Sequence, residues 1–381
     1  MESIGFHSKI KLDGREFHIH TGSVTEKNVV LSEIFEKGKF VSSKNVDFFS
    51  RNEARNATEK YIKQVAEKLH KEMLDEIDTL FLVHTKIKSI NQYLPHFRLS
   101  GAFYEKCFFD EAIESLNRVI ELQTDYIPAY HRLGLCYIKS GNRKKAIEIF
   151  EKGIKLAPDF VDLINSLGVA HCLNQDYDKS AVYFQQAMKL NPDLDEANFN
   201  LGVVLFRSML EDSEENEKII VPSRLIRYIK SLKILDRYSS EEWQNTLNDT
   251  LEVIKNSDID QVLNNLEKLQ IKLATELKIN TLLDIFFLKF MYGGRELTRD
   301  ELDQYEEKIL ELKKDRRDFA DYWNDIGVIH MIQCRSLFLS ALNEFERAAS
   351  FNEGYEDAKK NLGLVKNNKK GFLILLRAIL K

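Results

Sequence analysis

The stretch Arg132–Asp159 reads RLGLCYIKSGNRKKAIEIFEKGIKLAPD, and its interpretation decides the fold. Two helical patterns lie back to back in it. Leu133, Gly134 and Tyr137 belong to the first, which breaks at Ser140–Gly141–Asn142. The second runs through Ala146, Phe150 and Gly153 and stops at Pro158, because proline cannot supply the amide proton that a helix interior needs. After 34 residues the same skeleton returns as SLGVAHCLNQDYDKSAVYFQQAMKLNPD, ending at Asp193. Self-similarity at a period of that length marks a repeat built from paired helices.

Many positions keep phase together. Leu99, Leu133, Leu167 and Leu201 are in register, as are Ser100, Gly134, Gly168 and Gly202. Phe103, Tyr137, His171 and Leu205 follow, then Ala112, Ala146 and Ser180, then Leu116, Phe150 and Phe184. Val119, Gly153 and Ala187 come one turn later, and Asp125, Asp159 and Asp193 recur between units. Small residues such as Gly134 and Ala146 let two helix backbones approach, while Tyr137 and Phe150 fill the space beside them. No single unit can bury its own apolar faces, so neighbours must stack.

On these residues the chain resembles the tetratricopeptide repeat (TPR) family over about residues 92–209 and 321–365. The resemblance implies a mainly α fold, a solenoid of antiparallel helix pairs with no chemistry of its own.

Composition agrees. Five prolines and sixteen glycines in 381 residues favour long helices. Charged residues make up 30%, the net charge is −5 and no Lys/Arg stripe stands out, so nucleic acid is not an expected partner. Cys107, Cys136, Cys172 and Cys334 have no paired short spacing and read as small apolar residues kept reduced. The start, MESIGFHSKIKLDG, has no basic segment followed by an apolar run, and no apolar stretch approaches the roughly 18–20 residues of a spanning helix. A cytoplasmic location is expected.

Residues 1–50 are expected to form a small β-hairpin domain. Phe6–Leu12 and Arg15–Thr21 alternate across Asp13–Gly14, a two-residue turn that favours a tight hairpin. Val29–Phe35 and Phe40–Val46 form a second alternating pair around Glu36–Lys37–Gly38–Lys39. A sheet of about four strands is too small to be stable uncovered and calls for a helix over its apolar face.

Residues 51–91 supply a helical connector, one long helix or two with a bend near Leu82–Thr85, with Tyr61, Val65, Leu69, Met73, Leu80, Leu82 and Ile87 at helical intervals. TPR units follow over 92–210, the last first-helix being Asp195–Met209, for which Pro222–Leu235 is a candidate second helix. Residues 211–320 are a non-repeat or degenerate helical block. Within it Ser239 with Glu242 and Thr298 with Glu301 read as capping boxes, and Ser257 as a cap for Ile259–Leu277. Residues 321–381 are expected to hold a terminal TPR-like unit and capping helices. Tyr322–Trp323 and Ile326–Gly327 mark its first helix, Ala341, Phe345 and Ala348 its second, and Leu362–Gly363 a further repeat of the Leu–Gly pair.

The resemblance also implies a site, since the first helix of each TPR unit lines a concave groove. The residues placed there are Phe97, Tyr104, His131, Leu135, Ile138, Asn165, Val169, Phe199, Val203 and Phe206. Family members that hold chaperone tails clamp a terminal carboxylate with Lys, Asn and Arg. Phe97, His131, Asn165 and Phe199 stand at the corresponding places here, so that clamp is absent. An aromatic and branched groove suits an apolar peptide or an amphipathic helix. The alternative is that the chain's own helices, from 51–90 or from the 220–314 block, fill it.

Two smaller features stand apart. In the hairpin register His7 faces His20, with His18 on the same face, a grouping that suits a transition metal or simply a solvated sheet face. The apolar end GFLILLRAILK suits either a cap on the last repeat or an interfacial membrane helix. No phosphate-binding glycine loop, nucleophile elbow or HExxH motif is present. The expected function is a non-enzymatic scaffold or adaptor that binds a protein partner without a cofactor. The competing expectation is a regulatory or assembly subunit attached to a membrane surface through its C-terminal helix.

Overall fold

The computed structural model describes residues 5–24, 28–47, 59–211, 220–277, 281–293, 298–312, 320–351 and 356–379. Contacts divide the chain into two compact units, one formed by residues 1–90 with 280–381 and the other by residues 91–279. Residues of the 211–320 block therefore contribute to both units.

The first unit opens with strands β1 Gly5–Leu12, β2 Arg15–Val24, β3 Val29–Glu36 and β4 Lys39–Asp47, paired antiparallel in chain order. The two outer turns are two residues long. Asp13 and Gly14 have φ of 47° and 74°, and Lys37 and Gly38 have 50° and 77°. Paired positive φ values match the right-handed twist of the flanking strands. The β1–β2 register follows the expectation, with Ile10 opposite Phe17, Lys9 opposite His18 and His7 opposite His20.

Alternation then sends Phe17, Ile19, Val30 and Ile34 to one buried face. Helix α1 (Glu59–Ile87) packs on that face through Ile62, Ala66, Leu69 and Met73 and runs unbroken past Leu82–Thr85. Tyr61 and Leu82, expected on the apolar side, are exposed. A polar seam crosses this small core. Buried His70 lies 2.8 Å from both Ser8 Oγ and Thr21 Oγ1, and Thr21 also bonds Ser32 at 2.7 Å. Residues 51–58 of the expected connector lie outside the described residues.

Helices α12 (Thr281–Tyr292), α13 (Arg299–Leu312), α14 (Ala320–Phe351) and α15 (Glu356–Ile379) complete this unit, α12 packing on α1. Thr298 and Glu301 form the expected capping box, with each backbone amide donating to the other's side chain. The turn expected between Gly327 and Ala341 is absent, because α14 is a single 32-residue helix. Gly327 and Gly363 each have open space where a Cβ would stand, so neither Leu–Gly-type pair serves a close helix approach there.

The second unit is helical throughout its described residues. Four antiparallel pairs stack in order: α2 (Tyr93–Glu105) with α3 (Phe109–Leu122), α4 (Ile127–Lys139) with α5 (Arg143–Leu156), α6 (Val161–Leu173) with α7 (Tyr177–Leu190), and α8 (Asp195–Glu211) with α9 (Ser223–Lys233). Gly134 shows why the pairs close so tightly. A Cβ built there would stand 2.1 Å from the Phe150 ring. Within the first three pairs the turn residue of positive φ recurs in phase as Cys107, Gly141 and Gln175. Helix α9 supplies the fourth pair's second helix, with Leu225 and Tyr228 3.2 Å from the Cβ position of Gly202.

Beyond the pairs come α10 (Glu241–Asn256) and α11 (Ile259–Thr275). Their caps fall one residue later than the sequence suggests, Ser240 accepting from the Trp243 amide and Asp258 from the Gln261 amide. Helix α10 packs on α9 and α11, and α11 folds back against α4, α6 and α8.

Candidate functional site

The first helices of the pairs present one continuous face, and α11 lies along it. Of the two readings of the groove, the one in which a helix of the 220–314 block fills it is the arrangement in this structure. The physical reason is in α11 itself, whose Val262, Leu266 and Leu269 sit at amphipathic spacing and are buried in one cluster with Phe199, Val203 and Phe206. Water-exposed apolar strips of this extent are unfavourable, and the chain's own helix covers this one.

Every residue expected in the groove lies on a first helix, and most are withdrawn from solvent. Leu135, Val169, Phe199 and Val203 are wholly buried, and Tyr104, Ile138, Asn165 and Phe206 nearly so. The Tyr104 hydroxyl donates to the Thr275 carbonyl at the end of α11, at 2.7 Å. Half-buried Phe97 lies under the Arg132 guanidinium, 3.8 Å from ring centre to carbon, and meets the Tyr126 ring edge-on. His131 Nε2 lies 3.0 Å from Ser166 Oγ. Burial holds its imidazole down to about 4, helped by the Arg132 charge and opposed by Asp162, so it is neutral at physiological pH.

A polar spine crosses this apolar interface. Asn200 Nδ2 donates to Asn165 Oδ1 at 3.2 Å, and Gln270 Nε2 of α11 donates to Asn200 Oδ1 at 3.4 Å. The Cys172 thiol completes the run by donating to Gln270 Oε1 at 3.6 Å. Gln270 and Asn200 are completely inaccessible, where an unpaired amide would be costly. At the rim Glu267 of α11 receives Arg143 and Arg207, each at 3.1 Å. The sequence reading missed Asn200, Gln270, Cys172, Arg207 and Glu267 as groove residues. The available signal was a polar residue set inside apolar helical runs, FNLGVV around Asn200 and LEKLQI around Gln270.

Two other features belong to the first unit. His7, His18 and His20 each offer a ring nitrogen, and the three atoms lie within 4.8 Å of one another on the exposed sheet face. A cavity of about 300 Å³ opens between β4, α1, α12 and α13, its wall carrying Glu72, Asp75, Glu301 and Tyr305. Lys289 enters it and pairs with Asp75 and Glu301. The side chains of 372–379 and residues 380–381, on which the membrane reading of GFLILLRAILK falls, lie outside the described set. No helix among the described residues is long and apolar enough to cross a membrane.

Residues 127–160, helices α4 and α5 with their flanking turns, match the family model described as tetratricopeptide repeat. These residues are a tetratricopeptide repeat. In-phase antiparallel helix pairs stack on either side of it. No curated protein matches the chain.

Among solved structures the chain is similar to the first TPR of Spaghetti (RPAP3) bound to an HSP90 peptide, at 15% identity and TM-score 0.30, over 32% of this chain and 94% of that one. It is also similar to MamA 41-end from Desulfovibrio magneticus RS-1, at 17% identity and TM-score 0.36, over 48% and 99% of the two chains. YrrB, a TPR protein with an unusual peptide-binding site, aligns at 18% identity and TM-score 0.32 over 50% and 91%.

Proposed function

We propose that the chain is a non-enzymatic protein-interaction scaffold whose first-helix strip receives an amphipathic helix. Helix α11 is its resident occupant, and a partner helix of the same character competes for the place. The observation that carries this reading is the fit of α11 to the strip, with apolar anchors at Val262, Leu266 and Leu269, a buried amide at Gln270 and a rim charge at Glu267. Apolar anchors spaced along one helix face are the usual currency of helix-in-groove recognition. The partner proposed is thus a protein segment with an apolar face, one buried polar side chain and an acidic flank.

Because α11 is tethered, its effective concentration at the strip is high, of the order of millimolar for a short flexible link. A partner must bind well above that level or meet a chain in which α11 has loosened. The test uses a labelled synthetic peptide of the 257–277 sequence. Leu266→Asp in the full chain should weaken the internal contact and let the peptide bind, and adding Leu135→Asp on α4 should remove that binding. Peptide that fails to bind a Leu266→Asp chain of undiminished helical signal would contradict the proposal.

A further inference from the structure

We propose that His7, His18 and His20 form a binding site for one divalent transition-metal ion on the exposed face of the N-terminal sheet. The site is assembled by pairing rather than by a loop. The β1–β2 register sets His7 opposite His20, and the two-residue strand period returns His18 to the same face. The His7 and His20 ring centres are 4.4 Å apart and those of His7 and His18 are 5.6 Å apart. One nitrogen from each of the three rings already falls within 4.8 Å of the others.

Metal–imidazole bonds are about 2.0–2.1 Å long, so ligand nitrogens around one ion stand closer than this. Small rotations about the side-chain torsions of exposed rings supply the contraction. The sheet holds the backbone, and its opposite face is pinned under α1 through Phe17 and Ile19.

Two carboxylates lie on this face, together with the Lys9 ammonium, which is opposite His18 and 3.8 Å from Glu16 Oε1. Glu16 Oε1 lies 2.9 Å from His18 Nε2. A carboxylate only accepts, so His18 donates from Nε2 and keeps its Nδ1 lone pair for a metal, an arrangement common behind metal-bound imidazoles. Glu33 is directly opposite His20 on β3 and supplies a second carboxylate on this face. Three imidazoles with nearby carboxylate and water suit Zn²⁺, Ni²⁺, Co²⁺ or Cu²⁺ rather than Ca²⁺ or Mg²⁺. Three protein ligands leave a further position for water or for a ligand from another molecule.

The probe is Co²⁺, whose visible absorption reports coordination, titrated into the tag-free full chain and then displaced by Zn²⁺. One equivalent should bind saturably. His7→Gln and His20→Gln should each weaken binding by about tenfold or more, the loss that even an outer-shell partner's removal brings. The triple glutamine variant should abolish it, while His330→Gln, an exposed histidine on α14, should leave it unchanged. All these side chains are at least partly exposed, so the helical signal and the melt without metal should match the parent. Absence of saturable binding, or a triple variant that binds like the parent, overturns the proposal. The second result would place the ion on the carboxylates or thiols elsewhere.

Discussion

Gln270, on α11, the last helix of the second unit, donates from Nε2 to Oδ1 of Asn200 at 3.4 Å, and neither side chain reaches solvent. The two residues are 70 positions apart in sequence. Their bond ties α11 to the inside of the solenoid at a point where register matters, because the surrounding apolar contacts are not directional. Gln270→Ala should leave Asn200 and Cys172 short of a partner and destabilise the unit by about 1–3 kcal/mol. Urea unfolding followed by circular dichroism measures this, and an unchanged midpoint would mean that the bond contributes nothing.

The close approach of α4 and α5 predicts a second cost. A Cβ on Gly134 meets the Phe150 ring at 2.1–2.6 Å, so Gly134→Leu should destabilise by about 1–3 kcal/mol or more through overpacking. Gly134→Ala combined with Phe150→Leu should cost less than the sum of the single changes, since one substitution relieves the other's clash. Additive effects in a thermal melt would place the two helices further apart than described.

The N-terminal hairpin offers an independent check. Gly14 sits at φ 74° beside Asp13 at 47°, a conformation that a β-branched residue adopts only under strain. Gly14→Val should destabilise the sheet while leaving the helical signal nearly intact. Limited proteolysis should then cut residues 1–50 faster in the variant than in the parent, and equal rates would argue against the turn.

Acid should loosen the solenoid through His131. Its pKa is about 4 in the folded chain, depressed by burial from an ordinary 6.5. Between those values the unfolded chain binds the proton and the folded chain does not, so stability falls as pH drops from about 6.5 towards 4. His171 on α6, also lowered mainly by burial, adds in the same direction, while His70, lowered likewise, acts on the sheet that it packs against and not on the solenoid. Stability against urea should therefore decline over that window, and His131→Gln should reduce the decline relative to the parent.

Much of the architecture was legible in the sequence, for identifiable physical reasons. The repeat announces itself because a small residue set against a large side chain of the paired helix, as in Gly134–Phe150, Gly168–Phe184 and Gly202–Tyr228, recurs at one phase. The hairpin register announces itself because a strand's period of two and the Asp13–Gly14 turn together leave one pairing that buries Phe17 and Ile19. The caps at Ser240 and Asp258 were displaced by one residue because adjacent serine or aspartate residues, Ser239–Ser240 and Ser257–Asp258, offer equivalent local chemistry. The single helix α14 had no local signal against a turn, since Gly327 and Ala341 are compatible with either. The position of α11 was illegible for a deeper reason. Its apolar face at Val262, Leu266 and Leu269 says that it docks, but only tertiary structure says that it docks on α4, α6 and α8. As a result the apolar strip through Leu135, Val169 and Phe199 was recognisable, and the 220–314 block was a candidate to fill it, but α11 could not be singled out as the occupant.

Native-state hydrogen exchange of the full chain tests most directly whether α11 is a resident occupant that a partner can replace. Amides of Ile259–Thr275 should exchange through a local opening at lower free energy than those of α4 and α6, whose protection reports the whole unit. Leu266→Asp should widen this gap without lowering the protection of α4. Equal protection of α11, α4 and α6, lost together in one global unfolding event, would contradict a replaceable α11 and make the first-helix strip permanent core.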